Sequence, residues 1–340
     1  MGYIAKTSTG MQGGWLGVYG PPGVCKTSMA VGFILAAWRK WRMKTAYRDH
    51  EEGRDMFPEC WKSPCEMYDL WLPSGPPMSD LLEGAEMLKS GIYCALIDDT
   101  ITSAARKVLH EITEQPTSDT GRTGRVRFVS GSKTINQSSQ QDYGLAATAI
   151  EKYSLALLDA VNKGRIVVWL GHEKWVADEG DEGIGGEDAF GGMEIVGKFL
   201  TRNSPKLMRQ LLHLRLKKDP GGTKGPHRLV LPSEAKWLTK DRLRTIPPGG
   251  IDLRVLRSEF PTGPMGSDKQ KEGDELFKIA CAEKAAEMWA PTLDAIDPDG
   301  ILMQQGKAQA VPEAPQSEPA LVPVIGPPGN GIVKKKVGKK

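Results

Sequence analysis

Residues 16–28 contain the residue types that can bind a chain of phosphates, in the order typical of a phosphate-binding loop. Such a loop reads Gly, any four residues, Gly, Lys and then Ser or Thr, and it lies between a strand and a helix. Its backbone N–H groups converge at a helix N-terminus, where the helix dipole favours negative charge. The candidate loop consists of Gly20, Pro21, Pro22, Gly23, Val24, Cys25, Lys26, Thr27 and Ser28.

Two side chains of this loop predict its ligands. Lys26 would bind the β- and γ-phosphates of a nucleotide, and the Thr27 hydroxyl would bind Mg²⁺ beside them. Gly20 permits the tight turn, and Gly23 leaves space for a phosphate close to the backbone. The loop therefore predicts ATP and Mg²⁺ as cofactors.

Cys25 replaces the second glycine of the pattern. Its Cβ and sulfur add bulk where the loop is tightest, so one interpretation is a loop that no longer binds nucleotide. Cysteine is small, however, and some AAA+ families have alanine at the matching position. We therefore expect Cys25 to be a tolerated variant in a working loop.

The carboxylates that a nucleotide hydrolase needs follow two predicted strands. Residues 93–97 are apolar and lead into Asp98 and Asp99, and we expect Asp98 to hold Mg²⁺. Two positions remain open for the acid that orients the attacking water. Asp99 directly follows the predicted metal-facing acid, as in AAA+ proteins, whereas Glu51 ends the strand after the loop helix, as in RecA-like proteins.

Composition limits the class of protein. The 340 residues carry a formal net charge of +3, and residues 301–340 contribute six lysines against two glutamates, so attraction to nucleic acid must come from local patches or the tail. Five cysteines without regular spacing argue against a disulfide framework and indicate a reducing compartment. We find no signal peptide and no apolar run long enough to span a bilayer. We therefore expect a cytoplasmic protein without a membrane partner.

Short apolar runs alternate with longer helical patterns, which predicts a parallel sheet with helices on both faces. Strands are expected at 15–19, 43–48, 92–98 and 165–171, and helices at 26–40, 78–89, 101–113 and 143–163. A hairpin is expected from 211–217 and 228–231, with a further helix at 269–290. The predicted fold class is α/β, a doubly wound, mainly parallel sheet with a C-terminal hairpin, of the P-loop NTPase kind.

Three regions are predicted along the chain. Residues 1–250 would form the core, and 251–303 a helical extension. Residues 304–340, rich in Pro, Gln, Ala and Gly with a basic end, would form a disordered tail. Two long core segments, 116–141 and 172–196, have no clear element, which is typical of functional or mobile loops.

Five short motifs, taken in order, resemble phage-encoded RecA-like ATPases of the single-strand-annealing type. They are the Pro-Pro-Gly loop, the acid after the second strand, Ile97–Thr102, Gly171–Lys174 and Trp237–Arg242. The resemblance spans residues 15–245. It implies a RecA-like fold, Mg²⁺-dependent ATP hydrolysis and assembly into rings or filaments.

The resemblance also implies roles for single residues. Glu51 would polarise the hydrolytic water, and His172 would sense the γ-phosphate. Lys240 and Arg242 would reach a neighbouring subunit's nucleotide as a cationic finger. Together with Lys26, these are the candidate catalytic residues.

Loops 116–141 and 172–205 would then lie where relatives contact DNA. In the first loop Phe128 could stack on a base. The second loop begins with a run of acids between 173 and 188, which would repel a phosphate backbone. An ordinary basic surface is the other interpretation of these charges. The candidate nucleic-acid-binding residues are Arg122, Arg125, Arg127, Lys133, Lys198, Arg202 and Lys206.

The function that we expect is a Mg²⁺-dependent ATPase, a homo-oligomeric ring or filament that acts on single-stranded DNA in phage recombination, annealing or replication. Phage recombination or replication proteins would be further partners. One alternative is an AAA+ type motor or loader with Asp99 as its catalytic acid. Another is a nucleotide-gated binding module that hydrolyses little ATP. A small-molecule kinase is disfavoured because no Arg-rich lid follows the loop.

Overall fold

The computed structural model describes residues 13–62, 65–114, 127–130, 133–136, 138–176, 190–217 and 227–309. The described residues up to 309 form one compact unit. Arg122 and Arg125 lie outside the described residues, as does the predicted tail from 310 onward. At Arg127, Lys133 and Lys198 the backbone is described without the side chain.

The described residues form seven α-helices and twelve strands. The helices are α1 (Lys26–Trp41), α2 (Pro77–Lys89), α3 (Ile101–Glu114), α4 (Gln140–Asn162), α5 (Gly197–Leu207), α6 (Asp268–Ile296) and α7 (Ile301–Gln309). The strands are β1 (Gly14–Gly20), β2 (Lys44–Asp49), β3 (Tyr68–Trp71), β4 (Tyr93–Asp99), β5 (Arg127–Ser130), β6 (Lys133–Asn136), β7 (Ile166–Val176), β8 (Phe190–Met193), β9 (Gln210–Lys217), β10 (His227–Leu231), β11 (Lys240–Asp241) and β12 (Ile251–Asp252).

Ten of the described strands form one sheet in the order β12-β10-β9-β1-β7-β4-β2-β3, with β11 also paired to β9 and β8 to β7. The strands from β9 to β3 in this order are all parallel to their neighbours. The hairpin β9–β10 and the β12 edge are antiparallel. The predicted α/β fold with a mainly parallel sheet and a C-terminal hairpin is therefore confirmed.

Side chains of the central strands alternate between two apolar cores. Leu16 and Val18 of β1 pack with residues of α1, α6 and α7. Trp15 and Tyr19 of the same strand pack with residues of α2, α3, α4 and α5. Both faces of the sheet are covered, as the burial of a parallel sheet requires. We call them the α1 face and the α4 face.

The long helix α6 covers the outer side of α1. The indole Nε1 of Trp289 donates to the carbonyl of Met29 at 2.9 Å, and its ring meets Phe33 edge-on at 5.6 Å. Gly32 permits the close approach, because a Cβ there would lie 2.3 Å from the Cβ of Ala285. The residues predicted as a separate extension are thus packed against the helix of the candidate loop.

Several short elements are missing from the prediction, each for a local reason. The strand β8 contains two glycines, and α5 contains Pro205, so neither has a strong propensity signal. The helix α7 runs from Ile301 to Gln309, so the expectation that disorder begins at 304 is wrong. None of the described helices is long and apolar enough to cross a bilayer.

The contact between α1 and α6 gives a stability prediction. Gly32→Ala should lower the free energy of unfolding by about 1–3 kcal/mol, because the added methyl overlaps Ala285 in a packed interface. Gly144→Ala in α4 is the matched control, since no neighbouring atom lies within 4 Å of its added Cβ. The control should stabilise the chain by about 0.5–1 kcal/mol, because alanine favours helix. Equal effects of both changes in urea denaturation would contradict the described packing.

Candidate functional site

The candidate loop leaves the C-terminal end of β1 and enters α1, so it lies at the carboxyl edge of the parallel strands. Gly20 is required there by space, because a Cβ would lie 2.2 Å from the carbonyl oxygen of Leu214. Gly23 has a φ of +79°, with no neighbouring atom within 4 Å of an added Cβ. The loop therefore has an open side at Gly23, where a phosphate could approach the backbone.

Cys25 is the N-cap residue of α1 and adopts the left-handed conformation, with φ 64° and ψ 46°. This conformation is the physical reason for glycine at this position of the pattern, because a Cβ is unfavourable there. The Cys25 side chain is only partly buried. The cysteine therefore adds backbone strain to the loop without filling it.

The ammonium group of Lys26 lies in the middle of the loop. Its Nζ donates to the carbonyls of Gly20 at 3.2 Å and Pro21 at 3.0 Å, and it lies 3.3 Å from Nδ1 of His172. Burial lowers the pKa of Lys26, and the nearby charges of Glu51 and Asp99 oppose that shift. The sequence prediction that Lys26 and His172 belong to one site agrees with this contact.

Asp99 lies at the hydroxyl of Thr27. Its Oδ2 accepts hydrogen bonds from Thr27 Oγ1 at 2.7 Å and from the Tyr47 hydroxyl at 2.8 Å. Burial raises the pKa of Asp99 to about 6, and the charge of Glu51 adds to that shift while both hydrogen bonds oppose it. A hydroxyl beside a buried carboxylate provides hard oxygen ligands, which fits Mg²⁺.

Gly53 lies close to this pair, where a side chain would crowd both oxygens. A Cβ at Gly53 would lie 2.9 Å from Thr27 Oγ1 and 3.4 Å from Asp99 Oδ2. The described residues contain no group of three or more His, Cys, Asp or Glu side chains that could hold a metal by themselves. Thr27 and Asp99 could therefore hold Mg²⁺ only together with oxygens from another source, such as nucleotide phosphates and water.

The prediction that Asp98 faces the metal is wrong. Asp98 is fully buried on the α4 face, where Arg48 lies 2.5 Å away and the Tyr153 hydroxyl donates to it at 2.7 Å. Burial opposes its ionisation, but the Arg48 charge and the hydrogen bonds from His50 and Tyr153 hold the pKa of Asp98 at about 2. Asp98 is therefore an ionised partner for a buried arginine.

Strand alternation is the cause of this correction. Ile97 packs in the α1 core and Leu96 in the α4 core. Because side chains two residues apart share a face, Asp99 lies on the α1 face with Ile97, and Asp98 lies on the α4 face with Leu96. A strand that is apolar on both faces does not reveal this phase in its sequence. Arg48 on the neighbouring strand β2 is the one available signal, because a buried arginine needs an acid on its own face.

Glu51 lies just beyond the end of β2. Its Oε1 accepts hydrogen bonds from Thr100 at 2.5 Å, from His172 Nε2 at 2.7 Å and from the hydroxyl of Ser103. Burial favours its protonated form, but these three hydrogen bonds outweigh burial and lower the pKa of Glu51 to about 2. Glu51 is thus a carboxylate at any working pH.

His172 connects the two ends of the site. Its Nδ1 faces the Lys26 ammonium, so it acts as an acceptor, and its Nε2 then carries the hydrogen donated to Glu51. The side chain of His172 is 17% exposed and that of Glu51 is 29% exposed. Lys26, His172 and Glu51 therefore form one line of contacts at the carboxyl edge of the sheet.

Sequence reasoning missed four further residues of the site. Tyr47 and Gly53 lie at the Thr27–Asp99 pair, and Thr100 and Ser103 bind Glu51. Thr100 directly follows the acids of β4 and Ser103 lies in the first turn of α3, which is a usable signal, because residues after a central parallel strand reach the same edge. A tyrosine inside β2 and a glycine after it carry no comparable signal.

Lys240 and Arg242 lie away from this site within the chain. Lys240 pairs with Leu211 of β9, which also pairs with Gly17, three residues before the loop begins. Its Nζ donates to the carbonyl of Pro205 at 2.7 Å, at the end of α5. Burial lowers the pKa of Lys240, and the nearby Arg242 charge adds to that shift.

Two of the candidate nucleic-acid-binding residues have described side chains. Arg202 and Lys206 lie on α5 and are exposed. The guanidinium of Arg202 lies 5.5 Å from the ring centre of Phe190. Arg127 and Lys133 lie on the separate hairpin β5–β6, so the predicted unstructured segment 116–141 contains two strands.

The two adjacent aspartates predict opposite effects on stability. Asp98→Asn should lower the free energy of unfolding by about 3 kcal/mol, because it leaves the fully buried Arg48 without a counter-charge. Asp99→Asn should abolish Mg²⁺-dependent turnover and raise the thermal midpoint at pH 7. Thermal unfolding and an ATPase assay of both variants measure these effects.

The gain for Asp99→Asn should depend on pH. The folded carboxyl, with its pKa of about 6, binds a proton that the unfolded carboxyl releases near pH 4, so parental stability falls as the pH rises between these values. The gain should therefore be full above about pH 6 and absent near pH 4. A gain that does not change between pH 4 and pH 7 would contradict the raised pKa of the buried Asp99 carboxyl.

The strained loop position gives a further prediction. Cys25→Gly should raise the free energy of unfolding by up to about 1 kcal/mol, because glycine adopts the left-handed conformation without a Cβ penalty. ATP binding should be retained. Cys25→Ala keeps the Cβ and should not stabilise the chain, so it serves as the control in the same denaturation series. A less stable Cys25→Gly variant would show that the thiol stabilises the loop.

Comparisons with known proteins give likenesses among solved structures only. Neither the comparison with protein-family models nor that with curated proteins gives a match. Among solved structures, the chain is similar to a KaiC-like protein of the hyperthermophilic archaeon Pyrococcus horikoshii OT3. The TM-score is 0.40 and the identity 14%, over 71% of this chain and 89% of that chain. The likeness is distant, and the assignment of the site rests on its geometry.

Proposed function

We propose that the protein is a Mg²⁺-dependent P-loop ATPase of the RecA-like kind. The observation that carries the proposal is the convergence of three parts at one edge of the sheet. These are the Lys26 loop, the Thr27–Asp99 pair and the Glu51–His172 pair. They match the three needs of nucleotide hydrolysis, which are phosphate binding, metal binding and orientation of the attacking water.

In this proposal Lys26 and the loop N–H groups hold the phosphates, and Mg²⁺, when bound at Thr27 and Asp99, would neutralise the charge that develops on them. Glu51 accepts a hydrogen bond from the attacking water, a role that its low pKa supports because it remains ionised. His172 is placed to donate to a phosphate oxygen or to hold Glu51. Asp99 belongs to the metal, which leaves Glu51 as the catalytic acid and disfavours the AAA+ alternative.

We propose further that the protein works as a homo-oligomer, a ring or a filament. Lys240 and Arg242 lie level with the middle of β1 and do not reach Lys26 of their own chain. Arg209 adds a third positive charge to this group, and its pKa is lowered by burial and by Arg242. Neighbouring positive charges attract an anion, and a phosphate bound to a neighbouring subunit is such an anion.

Single-stranded DNA is the proposed partner, in phage recombination, annealing or replication. Exposed Arg202 and Lys206 on α5 support it, together with the basic composition of the first predicted loop, 116–141. Phosphate contacts from such side chains bind DNA without regard to sequence. The resemblance to single-strand-annealing ATPases supplies the biological setting.

The proposal predicts DNA-stimulated turnover. The ATPase rate should rise when single-stranded DNA is added. If about six phosphates are contacted, the apparent affinity for DNA, read from the DNA concentration that gives half of the stimulation, should fall about 10³-fold between 50 and 200 mM salt. Turnover without stimulation would favour a motor that uses another partner, and ATP binding without turnover would favour a nucleotide-gated module.

Glu51→Gln is the control for that assay. It removes the charge of the proposed catalytic acid while its amide can still bond to its neighbours, so ATP binding should persist and turnover should fall by at least about 10²-fold. A Glu51→Gln variant with parental turnover would remove Glu51 from the mechanism.

A further inference from the structure

His213 of β9 is a buried histidine held between two carboxylates. Its side chain is 2% exposed. Its Nδ1 lies 2.5 Å from Glu234, and its Nε2 lies 2.9 Å from Glu173. Carboxylates only accept hydrogen bonds, so these contacts are satisfied when both ring nitrogens carry hydrogen.

Two aromatic rings pack against the His213 ring as well. The Tyr19 ring stacks at 4.9 Å between ring centres, and the Trp237 ring stacks at 4.1 Å. Aromatic faces attract positive charge, and Arg215 also bonds to Glu234. The cluster of Tyr19, Glu173, His213, Glu234 and Trp237 is therefore a built polar unit on the α4 face, outside the ATP site.

Residues 234–242 connect this cluster to the cationic finger. Every second residue from 209 to 213, in β9 and just before it, contacts this segment. His213 binds Glu234 at the start of the segment. Leu211 pairs with Lys240, and the carbonyl of Arg209 accepts the backbone N–H of Arg242 at 3.0 Å. The side chain of His213 thus fixes the start of a segment whose end carries Lys240 and Arg242.

The same cluster contacts the ATP site through two neighbouring residues. Glu173 directly follows His172 on β7, and Tyr19 directly precedes Gly20 of the loop. The hydroxyl of Tyr19 donates to the carbonyl of Leu238 at 3.0 Å, inside the finger segment. Burial and the two carboxylates raise the pKa of Tyr19, so it remains a donor.

We propose that His213 is a positioning residue for the finger: through its hydrogen bond to Glu234 it holds residues 234–242 so that Lys240 and Arg242 reach the neighbouring subunit's nucleotide. This inference rests on the proposed function, because it requires a finger that acts between subunits. His213 itself touches neither nucleotide nor metal.

A mixture of two inactive variants isolates the finger from the ATP site. A Lys26→Ala chain has a defective ATP site and an intact finger, and an Arg242→Ala chain has the reverse. If the finger acts between subunits, mixing the two restores turnover at the Arg242→Ala chain's ATP sites. No turnover in the mixture beyond that of the separate chains would overturn the proposed finger and the His213 proposal with it.

Two amide substitutions then separate the two hydrogen bonds of His213. The amide nitrogen of asparagine lies two bonds from Cβ, as Nδ1 does, so His213→Asn keeps the donor to Glu234. The amide nitrogen of glutamine lies three bonds from Cβ, as Nε2 does, so His213→Gln keeps only the donor to Glu173. Both are neutral, uncharged amides, so a general loss of folding would affect both.

Both substitutions are made in the Lys26→Ala chain. This chain has no working ATP site and contributes only its Lys240–Arg242 finger to the neighbouring Arg242→Ala chain. His213→Gln should lower the restored kcat by about tenfold, the size of one lost hydrogen bond to a charged group, with the KM for ATP unchanged. His213→Asn should support turnover close to that of the unmodified donor. His213→Gln placed in the Arg242→Ala chain should have little effect.

If His213→Gln and His213→Asn in the Lys26→Ala chain give the same turnover in the mixture, the His213 proposal is overturned, while the finger between subunits remains supported. A loss that appears only when the substitution is in the Arg242→Ala chain would also overturn it, because His213 would then act on its own ATP site. Thermal unfolding of each chain confirms that the compared variants are folded.

Discussion

The alternation of side chains across a sheet that is buried on both faces is the constraint on which this structure depends. It sends Asp99, Tyr47 and His172 to the α1 face, beside the phosphate-binding loop. It sends their chain neighbours Asp98, Arg48 and Glu173 to the α4 face. The strands β2, β4 and β7 therefore each supply one polar residue to the chemistry and a neighbouring one to the packing behind it.

The polar residues of the α4 face have a cost and a use. A fully buried pair such as Arg48 and Asp98 contributes little net stability, because both charges lose their hydration. A shift of β4 by one residue would leave Arg48 without an acid and would place Asp98 beside Thr27. The pair therefore specifies the register that presents Asp99 to Thr27, and His213 has the same kind of role between β7 and the segment after β10.

Much of the fold and of the site could be predicted from the sequence. The loop, the acid after β2 and the order of strands and helices follow from glycine spacing and hydrophobic periodicity. The sequence of β4 alone does not reveal whether Asp98 or Asp99 faces the loop, because Leu96 and Ile97 are both buried and give no phase. The weak elements β8 and α5 contain glycine or proline, and only tertiary contacts stabilise them. Gly53 and His213 act through partners far away in sequence, which no local pattern encodes.

The packing of α6 on α1 also determines when, during translation, the loop helix α1 becomes covered. Met29 and Phe33 of the loop helix are shielded by Trp289, which the ribosome adds about 260 residues later. The N-terminal half of the nucleotide site is therefore made well before the helix that covers it, so its apolar outer face stays accessible until α6 has been translated. A chain truncated before α6 would expose that apolar face, and exposed apolar surface favours aggregation.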